Sequence, residues 1–278
     1  MYKRLILITA ILLLLGACTK SIDKNLIERA KYYNFQNEDE KVVALLSPIR
    51  KLNVEGKMLL ASSYGDLENY KRSNLLADEV IKDDSATGIE KSLALMIKVN
   101  NAYKTSQYEN ALHLSDEGIS FGIFPAAFHM TKAIIFAKRG DFIVAASEFK
   151  NVNTDKWPQL YYDVAVYELI LGNIEMCFDY LSRYVLIARR AGKKMSAIKE
   201  KIERDADLKS ITGDHRLQIL YDVWADGIDM FQFDHATFEE VRAKEDKLLK
   251  EQGKEVGPDF IKKLEEIVTQ VNHASTSN

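Results

Sequence analysis

The sequence predicts an all-α protein made of antiparallel helical pairs stacked on one another, and three observations predict it. Two helix-length apolar patterns joined by Gly140-Asp141 return 32 residues later around Gly172-Asn173. Within them Phe142, Ala145, Phe149 and Val152, and then Ile174, Cys177, Leu181 and Tyr184, fall at i, i+3, i+7 and i+10, one face of one helix. The 278 residues contain only 13 Gly and 4 Pro while 47% are hydrophobic, so breakers are few and a sizeable core can form.

Taken in order, the chain begins with Met1-Tyr-Lys3-Arg4 and an apolar run from Leu5 to Leu15, too short for a comfortable membrane span. The run ends in Leu15-Gly16-Ala17-Cys18. Small residues before a cysteine at that place resemble the lipobox of bacterial lipoproteins, which implies cleavage after residue 17 and acylation (palmitate or a similar chain) of Cys18. An ordinary secretory leader or an anchor helix with an incidental Cys is the alternative. Residues 18–24 read as the acylated Cys and a polar tether. The formal net charge is -3, and loss of Lys3 and Arg4 with the leader leaves 36 basic and 41 acidic residues, a net -5 with no nucleic-acid footprint. The second cysteine, Cys177, has no partner for a disulfide and falls in a small buried slot, which reads as a core thiol.

Residues 25–190 align as five pairs. On the first helices a small residue precedes an aromatic by three: Ala30 and Tyr33, Ala61 and Tyr64, Asn100 and Tyr103, Ala133 and Phe136, with Ala165 and Glu168 as a departure. On the second helices the anchors Asp39, Tyr70, Tyr108, Phe142 and Ile174 are spaced by 31, 38, 34 and 32 residues. The third pair fits with a turn one residue shorter than elsewhere. Each aromatic anchor is expected to contribute about 1.5–3 kcal/mol by burial. Pro125 and Pro158 open first helices, where a missing N–H costs nothing, and Asp83 to Gly88 is a polar connector. This period and these positions resemble the tetratricopeptide repeat, of about 34 residues. The resemblance implies a right-handed α/α superhelix, since no single pair can bury its apolar face alone.

Past Arg190 the pattern changes, and residues 191–272 read as C-terminal capping helices: one from Ala191 to Glu203, then Asp205-Ala-Asp207 to Ile211, His215 to Leu220, Trp224 to Phe233, Ala236 to Lys250 and Pro258 to Val271. Asp205 and Asp207 read as helix-start caps. Lys209 and Ser210 stand where a calcium loop needs a ligand and a glycine, so no metal is assigned. Residues 273–278 read as a frayed tail.

The five His residues are scattered, and there is no His-Glu-x-x-His, G-x-S-x-G, P-loop or G-x-G-x-x-G. No constellation points to an enzyme, and no cofactor is implied beyond the lipid on Cys18. The resemblance instead implies that first helices line a groove for a partner peptide. Carried onto this sequence, the groove positions include Asn34 and Phe35; Ser62 and Asp66; Asn101 and Lys104; Met130, Ile134 and Lys138; and Tyr162 and Val166. Its first half is polar, suited to an extended backbone and carboxylates; its second half is apolar, covered either by a partner or by the chain's own helices after Trp224. The expected function is a protein-protein interaction scaffold, lipid-anchored on the extracytoplasmic side of the cell membrane or outer membrane, with another envelope protein or peptide segment as partner. A subunit of an envelope or outer-membrane assembly complex, or a small-ligand-binding partner of a transport system, are the alternatives.

Overall fold

The helix-to-helix turns set the architecture. In a computed structural model of the chain, residues 24–227, 243 and 259–276 are described, and among them the regular structure is entirely helical. The leader and Cys18 lie outside the described residues, as do 228–233 of the helix expected from Trp224 to Phe233 and, apart from 243, the one expected from Ala236 to Lys250; the expected start at Trp224 is not met, since Trp224 closes the helix before it and 225–227 are not helical. The chain separates into two compact units, one ending at Ala86 and one beginning at Thr87. That boundary falls in the polar connector and divides the stretch expected as one array over 25–190.

The first unit holds α1 (Lys24–Phe35), α2 (Asp39–Leu46), α3 (Val54–Asp66) and α4 (Tyr70–Lys82). Neighbours in sequence pack together, and α1 also packs on α3. Asn53 caps α3 by accepting from Gly56 N–H at 2.8 Å. Ile27, Ala30, Val42, Leu46, Leu60 and Tyr64 form one core cluster, and the Ser73 hydroxyl donates to the Ala61 carbonyl at 2.7 Å across the α3–α4 contact.

The second unit holds α5 (Gly88–Lys104), α6 (Tyr108–Ser120), α7 (Pro125–Lys138), α8 (Phe142–Phe149), α9 (Tyr161–Ile170), α10 (Ile174–Arg190), α11 (Met195–Arg204), α12 (His215–Val223) and α13 (Asp259–Thr276). A capping box between Thr87 and Glu90 opens α5, Pro125 stands in the first turn of α7, and Pro158 starts a 3-10 turn that leads into α9. Each pair packs internally, and α5 on α7 and α7 on α9 repeat the contact of first helix with first helix. The terminal helix packs on α10, with Phe260 edge-on to Phe178 at 5.8 Å between ring centroids. Its backbone is helical through Thr276, so the tail expected to fray from His273 is helical for its first four residues.

Five turns share one geometry. Asn37, Glu68, Ser106, Gly140 and Gly172 have positive φ, each two residues before the second-helix anchor of its pair. In each turn the next N–H reaches back five residues: Glu38 to Tyr33, Asn69 to Tyr64, Gln107 to Ala102, Asp141 to Phe136 and Asn173 to Glu168. This is the Schellman closure, which satisfies carbonyls at the helix end and requires a left-handed residue.

The same geometry corrects the third pair. Its turn is of ordinary length, and Ala102, not Tyr103, takes the place held by Tyr33, Tyr64, Phe136 and Glu168. Three residues earlier stands Val99, fully buried like Ala30, Ala61, Ala133 and Ala165, whereas Asn100 is exposed. Tyr103, the strongest aromatic signal in α5, is off the repeat register by one.

The buried centre of each second helix is also displaced from the expected anchors. Phe142 is 54% exposed and Ile174 43%, so neither gains the full burial energy. The residues three later, Val42, Ser73, Ala111, Ala145 and Cys177, are all fully buried, because that is where the two axes of a pair approach.

Candidate functional site

The expected groove positions separate into a buried group and an accessible group. Met130, Ile134, Tyr162 and Val166 lie in the core of the second unit, in one continuous cluster with Met195, Ile198, Ile202 and Leu208. Of the two coverings expected for this apolar half, the structure has the chain's own residues. Among the described residues, those on Tyr162 come from α11 and the loop after it, ahead of Trp224. The reason is the Schellman turn at Gly192, where the N–H of Lys193 returns to Ala188 and folds α11 back beside α10.

The covering segment is fastened by polar contacts to three successive first helices. From α9, the Tyr162 hydroxyl donates to Asp205 Oδ2 at 2.6 Å. From α7, Lys138 Nζ donates to Asp207 Oδ1 at 2.5 Å, and from α5 the Tyr103 hydroxyl donates to Asp207 Oδ2. Lys138 Nζ also reaches the Tyr103 oxygen at 3.3 Å and stands over the Tyr103 ring. Asp205 Oδ1 accepts from the Asp207 N–H at 2.9 Å. Lys201 Nζ sits 3.8 Å from the centroid of the Tyr162 ring and 5.2 Å from that of Tyr184, which meet edge to face.

The two aspartates are therefore acceptors for the first helices and start no helix, Asp205 standing at the C-cap of α11; a side-chain N-cap in this region is Asp214, which accepts from Arg216 N–H at 2.9 Å. Burial pushes the Tyr103 and Tyr162 hydroxyls up, and the adjacent Asp207 and Asp205 push them further, so both stay protonated donors. For Lys138, burial opposes the charge, but the Asp207 carboxylate outweighs it and raises the ammonium.

The remaining expected positions are distributed as follows. Asn101 is 3% exposed, because the corrected register turns it inward and puts Asn100 and Tyr103 on the lining face. Lys104 stays on that face and is exposed. In the first unit Phe35 is 39% exposed, Asp66 is exposed and Ser62 half-buried. Asn34 is drawn into the unit, with its amide toward Ser63 Oγ at 3.2 Å and Asp39 Oδ1 at 3.4 Å. Asp39 is only 7% exposed; burial, with Asp66 and Glu40 adding to it against the Ser63 hydrogen bond, raises its carboxyl to about 6.

Tyr103, Lys201, Asp205 and Asp207 are the members that sequence reasoning did not place here. The available signal was the Asp-x-Asp spacing itself, two carboxylates on a turn just after an amphipathic helix. Cys177 is fully buried, and burial pushes its thiol up to about 12, far from a nucleophile's range. Among the described residues no helix is long and apolar enough to cross a membrane. Comparison of the chain with protein-family models, with curated proteins and with solved structures finds no match.

Proposed function

We propose that this is a lipid-anchored, exported scaffold of tetratricopeptide type, a right-handed array of five helical pairs that holds another envelope protein, and that the partner docks on the first-helix face of the first unit. The observation that carries the reading is the one turn geometry repeated at residues 37, 68, 106, 140 and 172 together with first helices packed on first helices. That is the local geometry from which repeat arrays with extended binding faces are built. The first unit is the favoured docking face because the equivalent apolar positions of the second unit, Tyr162 and Val166 among them, are occupied by the chain's own α11 and Asp205–Asp207. On the first unit's first helices Phe35 is 39% exposed and Asp66 is exposed, an accessible aromatic and an accessible charge.

Two experiments test this. Wild type is expected to take up labelled fatty acid and Cys18→Ser to lose the label; wild type retained in the membrane without label would overturn the anchor. In a pull-down from detergent-solubilised membranes, Phe35→Ala with Asp66→Ala is expected to weaken recovery of the specific partner by about 1–3 kcal/mol with the melting temperature unchanged. Equal recovery from both would remove the first unit's face as the site.

A further inference from the structure

We infer that the first-helix face of the second unit reads carboxylates, that the Asp205-Ala-Asp207 turn is its resident occupant, and that an acidic segment of a partner, with carboxylates two residues apart, exchanges with it. The inference rests on the scaffold reading and names the chemistry of a second contact with the same class of partner.

Three features of the site point this way. The donors Tyr103, Lys138 and Tyr162 come one from each of three consecutive first helices, Tyr162 meeting Asp205 while Tyr103 and Lys138 converge on Asp207. Two carboxylates two residues apart on one turn thus meet donors from three repeats. A core seam of this kind needs no charge, as Ile198, Ile202 and Leu208 beside it show. Once the segment lifts, the Lys138 ammonium and the two tyrosine hydroxyls lose their carboxylate acceptors, and another carboxylate restores the charge-assisted pairing.

The segment is also placed to move. Its outer side opens on a depression of about 520 Å³ lined by Glu203, Arg204, Asp205, Ala206, Lys209 and Thr212. Leu208 and Ile211 are buried and remain as the fixed end when the acidic tip swings out. Two lysines near the segment suit an acidic visitor, Lys201 over the Tyr162 ring and Lys209 on the depression, while Arg204 is paired with Glu200 at 2.6 Å and Glu203 with Lys199 at 3.7 Å.

The test uses the purified full chain and a fluorescent peptide, Ala-Asp-Ala-Asp-Ala with blocked ends, beside its Asn-for-Asp counterpart. Asp205→Asn with Asp207→Asn weakens the resident segment without removing the donors. This variant is expected to bind the acidic peptide about tenfold or more tighter than wild type, to ignore the Asn peptide, and to lose the gain when Lys138→Met is added. In wild type, saturating acidic peptide is expected to raise tryptic cleavage after Arg204 or Lys209 several-fold. Equal peptide affinity for wild type and a folded double variant, or equal binding of the two peptides, overturns the inference. If the double variant does not fold, unchanged cleavage of wild type at millimolar acidic peptide overturns it instead. Failure here with the partner still recovered through the first unit leaves the scaffold reading intact; loss of the effect of Phe35→Ala with Asp66→Ala, while peptide exchange persists, removes that face alone.

Discussion

Close approach is enforced by single residues at the α6–α7 contact. A Cβ at Gly118 would lie 2.3 Å from ring atoms of Phe128, itself fully buried. Gly118→Ala is therefore expected to destabilise by about 1–3 kcal/mol through displacement of that ring, read as a lower melting temperature. Ala145, also fully buried, behaves in the same way: Ala145→Leu should cost about 1–3 kcal/mol while Ser147→Ala, on the exposed side of α8, should be near neutral. An unchanged melting temperature for Ala145→Leu would mean that the helices of the fourth pair do not meet there. Asp39 gives a pH signature. Its folded value of about 6 lies above the ordinary 3.8, so the folded state holds the proton more tightly than the unfolded one. The resulting stability is fully present below about pH 4 and is lost as the pH rises through 6. The difference between wild type and Asp39→Asn, followed by unfolding of the first unit between pH 4 and 7, should grow in the variant's favour as the pH rises; a pH-independent difference would contradict the assignment.

Turns do the corresponding work at the level of the elements. Each pair closes through one left-handed residue, and the chain uses glycine at 140 and 172 but Asn37, Glu68 and Ser106 elsewhere. A β-carbon in that region is strained, so Glu68→Gly is expected to stabilise the first unit by roughly 0.5–1 kcal/mol, and Gly140→Val to destabilise the second by more than 1 kcal/mol, about the strain of a β-branched residue there. Opposite signs in thermal unfolding would contradict the shared geometry. These turns also explain what the sequence made legible. Gly-Asp and Gly-Asn announced the fourth and fifth turns, and the fully buried second-helix residues followed from 3.6 periodicity. The third pair was misaligned by one residue because Tyr103 carries an aromatic signal with a different cause, its bond to Asp207. That bond joins residues 104 apart in sequence, and no periodicity encodes it. The exposure of Phe142 and Ile143, 54% and 89%, was equally out of reach, since a helix's apolar run does not report which of its ends extends beyond its neighbour.

For the whole molecule, the account assigns different tasks to the two units. The first unit has Phe35 and Asp66 exposed on its first helices; in the second the chain folds α11 and an acidic segment over the corresponding positions, with room for exchange. The anchor at Cys18 would hold both at a membrane, and the partner would be met first through the first unit. The most direct measurement of that central claim is site-specific photo-crosslinking in the native cell, with the reactive side chain at position 35 on α1 and, for comparison, at position 75 on the exposed side of α4, where Leu75 is 56% exposed. The account predicts one defined crosslinked protein from position 35 and none from position 75. Crosslinks to a defined protein from position 75 with none from position 35 would contradict it.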